Sequence, residues 1–178
     1  MKIGMNKIIA CLLLVACLFL LTCCGGKTEV KEVDLDALVN GILEKHAMTE
    51  GFVFTSSSTE LGEYLDEDMI VSCYGDAGDA PDFSKVSSYC VYMDDSDPKV
   101  IIDVGVFRMA DAAYADTLMK YLQARIDFKI ADGEIYTDID VAMLKTAVVD
   151  KAQNGAYVYY VVSYDVTDIV KEIREAIG

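Results

Sequence analysis

The sequence contains no tryptophan, a single histidine and only two prolines in 178 residues. Without tryptophan, a carbohydrate-binding surface built on ring stacking is disfavoured. One histidine and few thiols do not make a recognisable ligand set for a transition metal. A nucleophile elbow of the Gly-x-Ser-x-Gly type and a phosphate-binding glycine-rich loop are also missing from the sequence. The sequence therefore predicts no catalytic residue and no cofactor.

Positive charge is also scarce, with 15 basic residues against 30 acidic ones. If residues 1–23 are removed, Lys2 and Lys7 leave with them and the remaining chain carries a net charge of −17. A field of this sign repels nucleic-acid phosphates and anionic lipid headgroups, so nucleic acid is not expected as a partner. The roughly 150 residues that remain fit one domain with its own apolar core.

No apolar run in the chain is long enough to span a bilayer comfortably. The run from Ile8 to Leu21 has about 14 residues, where about 20 are needed. Basic residues precede it and a cysteine among small residues follows it, which is the order of a secretory signal. The site Leu21-Thr22-Cys23-Cys24 is similar to the bacterial lipobox, with Cys24 as the lipidated residue and Cys23 as the alternative. We expect a signal peptide (1–23), a tether (24–33) and a lipid-anchored extracytoplasmic domain (34–178) whose membrane contact is the anchor.

Beyond the processing site, the chain has only two cysteines, Cys73 and Cys90. If the runs Met69–Tyr74 and Ser87–Met93 form antiparallel strands, the two side chains lie nearly opposite each other and a disulfide is feasible. We expect instead two reduced thiols buried as small apolar residues, with the disulfide as the alternative.

Hydrophobic periodicity predicts an α+β domain with a largely antiparallel sheet and helices packed on one face. Asp34 is typical of a helix N-cap, and Asn154-Gly155 is typical of a hairpin turn. His46, at the end of the first helix, is expected to be exposed near the helix carbonyls. The predicted helices cover 35–46, Ser58 or Thr59 to 65, 111–130 with a break at Asp132-Gly133, 140–145, and a last helix from Asp165 or Thr167; the predicted strands cover 52–54, 69–74, 87–93, 100–108, 147–151 and 156–164.

Two kinds of candidate binding residue stand out. Asp76, Asp79 and Asp82 recur in one loop and could supply oxygen ligands for Ca²⁺, but their order does not match an EF-hand, so we interpret them as solvated turn residues and keep a weak calcium site as the alternative. Tyr157 and Tyr159 share one face of a predicted strand, where tyrosine rings either stack on a ligand or pack in the core.

The second half of the chain resembles the family named domain of unknown function 4358. The similar segments are Ile102–Arg108, Tyr121–Arg125, Leu144–Val149 and Asn154–Ser163. Asp103 stands where that family usually carries Glu. The resemblance implies a small lipoprotein of a clostridia-like Gram-positive bacterium, and the family has no established activity to carry over.

The sequence therefore favours a non-enzymatic lipoprotein that binds a ligand or an envelope or protein partner at the membrane surface. A carboxylate-dependent hydrolase that acts on envelope material is the alternative.

Overall fold

The computed structural model describes residues 30–178, apart from residues 76, 77, 98, 137 and 153 and the side chain of residue 95. The predicted signal peptide, Cys23 and Cys24 lie outside the described residues, as does Asp76. Residues 31–178 form one compact unit. This unit is an α+β domain around a five-stranded antiparallel sheet.

The described part of the chain forms five helices and five strands. In chain order they are α1 (Leu35–Lys45), β1 (Phe52–Thr55), α2 (Glu67–Tyr74), β2 (Val86–Asp97), β3 (Val100–Met109), α3 (Ala115–Ile135), α4 (Val141–Leu144), β4 (Val148–Lys151), β5 (Tyr157–Val162) and α5 (Val166–Ile177). The strand order is β1-β2-β3-β5-β4, so β1 and β4 are the edge strands. Short 3₁₀ helices precede β2 and α3.

Local sequence signals explain where several elements begin and turn. The Asp34 carboxylate accepts a hydrogen bond from the Ala37 N–H at the start of α1, which confirms the predicted N-cap. Between β4 and β5 the chain turns through Gly155, whose φ of +71° suits glycine. The predicted helices α1, α3 and α5 and the predicted hairpin of β4 and β5 are thus confirmed.

Helices cover both faces of the sheet, and the prediction of helices on one face is wrong. On one face, Val91, Phe107 and Tyr160 pack under α3 in a layer that also contains α2 and α4 residues. On the other face, Tyr92 and Val106 pack under α1 and α5. The physical reason is the composition of the central strands: every residue of β5 is apolar or aromatic and buried, so neither face can be left to solvent.

The predicted strand over 69–74 is also wrong, because these residues form most of α2. Asp66 caps this helix by accepting from the Met69 N–H, and Glu67 and Asp68 lie in its first turn, where acidic side chains are favourable. A short apolar run does not by itself distinguish a strand from a buried helix. The predicted helix that ends at residue 65 is also wrong, because residues 58–65 form turns and bends. The predicted break at Asp132-Gly133 is not found either, since α3 continues through Gly133.

Candidate functional site

An open groove lies between α5 and the start of edge strand β4. Its volume is about 860 Å³, and it is lined by Thr146, Val148, Tyr164, Val166, Thr167, Val170, Lys171, Arg174 and Glu175. Tyr164, the second residue after the end of β5, is 60% exposed. The groove thus combines an exposed tyrosine and valine side chains with a rim of charged residues.

The position of α5 sets the shape of this groove. Ile169 and Ile173 are fully buried against the sheet, so Lys171 and Glu175 face outward. Arg174 donates from Nη2 to the Asp150 carboxylate at 2.7 Å and from Nε to the Tyr159 hydroxyl at 2.7 Å.

These contacts keep the Asp150 carboxyl ionised. Burial alone would raise the pKa of Asp150, but hydrogen bonds from the Lys151 N–H, Arg174 and the Tyr159 hydroxyl lower it below its ordinary value. Through Arg174, the ionised Asp150 carboxylate therefore holds α5 in place at this end of the groove.

A second pocket, of about 450 Å³, lies between the end of α2 and the middle of α3. It is lined by residues 72–75 of the α2 end and by Ala124, Arg125, Phe128 and Lys129 of α3. The Arg125 side chain is 12% exposed and forms an ion pair with Asp103, whose side chain is 4% exposed. Phe128 is mostly exposed at the same pocket.

Arg125 connects three parts of the fold. Its Nε and Nη2 atoms donate to Asp103 Oδ2 at 3.0 and 2.9 Å, and its Nη1 donates to the Cys73 carbonyl at 3.2 Å at the end of α2. The guanidinium also lies 5.7 Å from the centre of the Tyr74 ring. Burial alone would lower the pKa of Arg125, but the Asp103 charge raises it, so the pair stays ionised inside the domain.

His46 is the most buried of the charged groups that join α1 to α5. Its side chain is 8% exposed, with Nδ1 at 3.0 Å from Asp165 and Nε2 at 3.0 Å from Glu172. Because each ring nitrogen has a carboxylate acceptor, the imidazole is positioned to donate from both nitrogens in its charged form. Burial lowers the pKa of His46, but these two hydrogen bonds raise it overall. The expectation of an exposed histidine is therefore wrong.

Two of the three candidate calcium ligands, Asp79 and Asp82, lie within the described residues. Asp79 accepts a hydrogen bond from the Tyr121 hydroxyl, and Asp82 caps a 3₁₀ helix by accepting from the Ser84 N–H. Across the described residues, no three His, Cys, Asp or Glu side chains converge as metal ligands. Both described aspartates thus have the structural roles of solvated turn residues.

Cys73 and Cys90 form no disulfide with each other, so the alternative of a disulfide is not found. Cys73 is on α2, in the layer under α3, whereas Cys90 is in β2 and faces the layer of α1 and α5. The sheet therefore separates the two sulfur atoms. Burial raises the pKa of the Cys90 thiol to about 12, with the nearby Asp36 carboxylate adding to the effect.

Tyr157 and Tyr159 do share one face of β5, but that face is covered. Tyr157 is 0% and Tyr159 1% exposed, so neither ring is available to a ligand. Their hydroxyls are also occupied: Tyr157 donates to the Lys31 carbonyl and Tyr159 to Asp150. The exposed tyrosine of this region is Tyr164.

Sequence reasoning overlooked the Arg125–Asp103 pair and the groove beside α5. Asp103 offered a signal, because a carboxylate inside the apolar run of β3 needs a buried partner. The identity of that partner depends on how α3 crosses the sheet, which periodicity does not reveal.

In the described residues, no helix is both long enough and apolar enough to cross a membrane.

Comparison with protein-family models, with curated proteins and with solved structures finds no match. The resemblance to domain of unknown function 4358 therefore stays a prediction.

Proposed function

We propose that this protein is a lipid-anchored extracytoplasmic binding module, held at the cell membrane through Cys24, with Cys23 as the alternative, and without catalytic activity. The lipobox-like site and the short apolar run before it support the anchor. The fold is consistent with this division of the chain. The compact unit begins at Lys31, and the buried core residues of both layers that the structure describes lie between Leu35 and Ile177.

The groove beside α5 is the observation that carries the binding role. Its volume falls within the range of small-molecule and peptide sites, and its apolar lining with a few charged groups is typical of them. Tyr164 and the partly buried Val166 can contact the apolar body of a ligand, and Lys171, whose side chain is 72% exposed and lies 3.9 Å from Glu175, can pair with an acidic group of that ligand. We therefore expect a ligand or partner segment with an apolar face and an acidic group.

The carboxyl groups support binding over hydrolysis. A glycosidase-type acid needs a carboxyl group whose pKa is raised, near a second carboxylate. The shifts found for Asp82, Asp140, Asp150 and Glu172 are all downward, and each of these groups accepts hydrogen bonds that favour the ionised form. These four carboxylates are suited to structural contacts rather than to proton donation.

The anchor is tested by mass spectrometry of the protein purified from its own cell membrane. We expect an amino-terminal Cys24 that carries a diacylglycerol thioether. An intact Met1 in the membrane fraction would contradict the anchor, and a lipidated Cys23 would move the site by one residue.

The groove is tested by photo-crosslinking on intact cells with benzoylphenylalanine in place of Tyr164. The same residue in place of Tyr136 is the matched control, because Tyr136 is 64% exposed but lies outside the groove. We expect a crosslinked product at Tyr164 that is lost when Thr167, an exposed residue of the groove, is changed to Glu. Equal capture at both positions, or capture unaffected by Thr167→Glu, would refute the role of the groove.

A further inference from the structure

The chain enters the domain at one end of the sheet. We call this the entry end; it is where β2 begins at Val86, β3 ends at Met109 and β5 begins at Tyr157. The opposite end, which we call the turn end, contains the β2–β3 turn and the last residue of β5, Val162.

Tyr157 holds the entering chain from inside the core. Its hydroxyl donates to the Lys31 carbonyl at 2.7 Å and accepts from the Val33 N–H at 3.2 Å, while its ring is fully buried. Both backbone contacts of the segment are thus made to a side chain that cannot move without disturbing the sheet.

Two further contacts attach the same segment to other elements at the entry end. Lys31 Nζ donates to the Ala176 carbonyl at 2.8 Å, at the end of α5. Glu32 lies 2.7 Å from Arg108, near the end of β3. Segment 31–33 is held by β3, β5 and α5 together, so it cannot rotate freely against the domain. We call this set of contacts the clamp.

From this clamp we infer that the domain has a fixed orientation at the bilayer, with the entry end toward the lipid surface and the turn end outward. The inference rests on the proposed lipid anchor at Cys24. Six residues lie between Cys24 and Lys31, and the seven steps from one Cα to the next reach at most about 25 Å when extended. The entry end must therefore stay within that distance of the membrane surface.

The turn end lies much farther out. From Arg108 back to Val100, β3 extends about 26 Å at roughly 3.3 Å per residue. The negative charge of the domain repels anionic headgroups, which opposes tipping of the body onto the membrane. Tyr164 follows β5 near the turn end, so the part of the groove around Tyr164 is presented to the outside, whereas Glu175 at its other end neighbours Ala176 at the entry end.

Energy transfer to the membrane tests this orientation. A donor dye is placed on Ala113→Cys at the entry end or on Lys99→Cys at the turn end, both exposed positions, with Cys73→Ala in each protein to avoid a second label. The lipidated protein is reconstituted into vesicles of phosphatidylcholine and phosphatidylglycerol that carry a rhodamine-labelled lipid. We expect transfer from Ala113→Cys to be several-fold more efficient than transfer from Lys99→Cys.

A variant of the clamp makes the result specific. Tyr157→Phe combined with Lys31→Ala removes the hydroxyl and ammonium contacts but keeps the buried ring, and we expect the difference between the two dye positions to shrink. Equal transfer at both positions in the unaltered clamp would overturn the orientation while leaving the anchor intact. If the clamp variant kept the full difference in transfer efficiency between the two dye positions, the role of the clamp would be overturned. Failure of the lipidated protein to bind vesicles would overturn the anchor and the orientation together.

Discussion

Replacement of Arg125 by Met is expected to destabilise the domain more than any comparable change of a charged residue on α3. The substitution removes a cation from Asp103, whose side chain is 4% exposed, and also removes the donor to the Cys73 carbonyl at the end of α2. Met fills a similar volume, so the loss reports mainly the charge and the hydrogen bonds.

Removing one partner of a buried ion pair typically costs about 3 to 5 kcal/mol, because the other charge stays buried. The same principle predicts a different result when both charges are removed. In the double variant Asp103→Val with Arg125→Met no charge remains buried, and we expect the free energy of unfolding to return to within about 1.5 kcal/mol of the original protein. Arg125→Lys keeps the charge but loses the two-pronged contact, so it should lie between the single variant and the original protein.

Urea unfolding of residues 25–178, followed by circular dichroism, measures these free energies. Lys120→Met, which removes an exposed cation from the same helix α3, is the matched control and should change the free energy by no more than about 0.5 kcal/mol. The reasoning would be refuted if Arg125→Met cost less than about 1 kcal/mol, or if the double variant were as unstable as the single one.

Three further predictions concern stability and thiol reactivity. Because the pKa of His46 is raised in the folded domain, protonated His46 stabilises the fold fully below its unfolded pKa of about 6.5, and this stabilisation is lost as pH rises through the folded pKa. His46→Gln should therefore flatten the pH dependence of the free energy of unfolding in urea. An unchanged pH dependence in this variant would contradict the raised pKa of His46. Gly105→Ala should cost about 1 to 3 kcal/mol in the same assay, since a Cβ there would lie 2.3 Å from the Tyr160 ring; a neutral effect would show that the ring moves freely. Cys73, which lies at a pocket, should react with a thiol reagent in the native protein, whereas Cys90, 0% exposed and with a pKa of about 12, should react only after denaturation; native labelling of Cys90 would refute its burial.

Elements with long, regular periodicity were predictable from the sequence. The helix around Leu118, Leu122 and Ile126, the hairpin through Gly155 and the strand that starts at Val100 occur as expected, because each pattern is local and several residues long. The run 69–74 was not predictable in this way, since its few apolar residues fit either a strand or a helix and the acidic cap at Asp66 decided the outcome.

The sites depended on contacts between residues far apart in the chain. Tyr157 and Tyr159 carry the same chemistry as Tyr164, and only the packing of α1 and α5 determines that the first two are buried and the third is exposed. Likewise, Asp103 is recognisable in the sequence as a charge in an apolar strand, but its pairing with Arg125 follows from the crossing of α3 over the sheet.

Composition and local pattern by themselves determined the acidity of this chain, its lipobox-like site, its α+β class and most of its element boundaries, because these properties depend on neighbouring residues. The tertiary structure alone decided that helices cover both faces of the sheet, that Cys73 and Cys90 lie on opposite sides, and which tyrosine is exposed. The reason is physical: burial is shared among segments that meet only on folding, and no single segment contains the information about what will cover it.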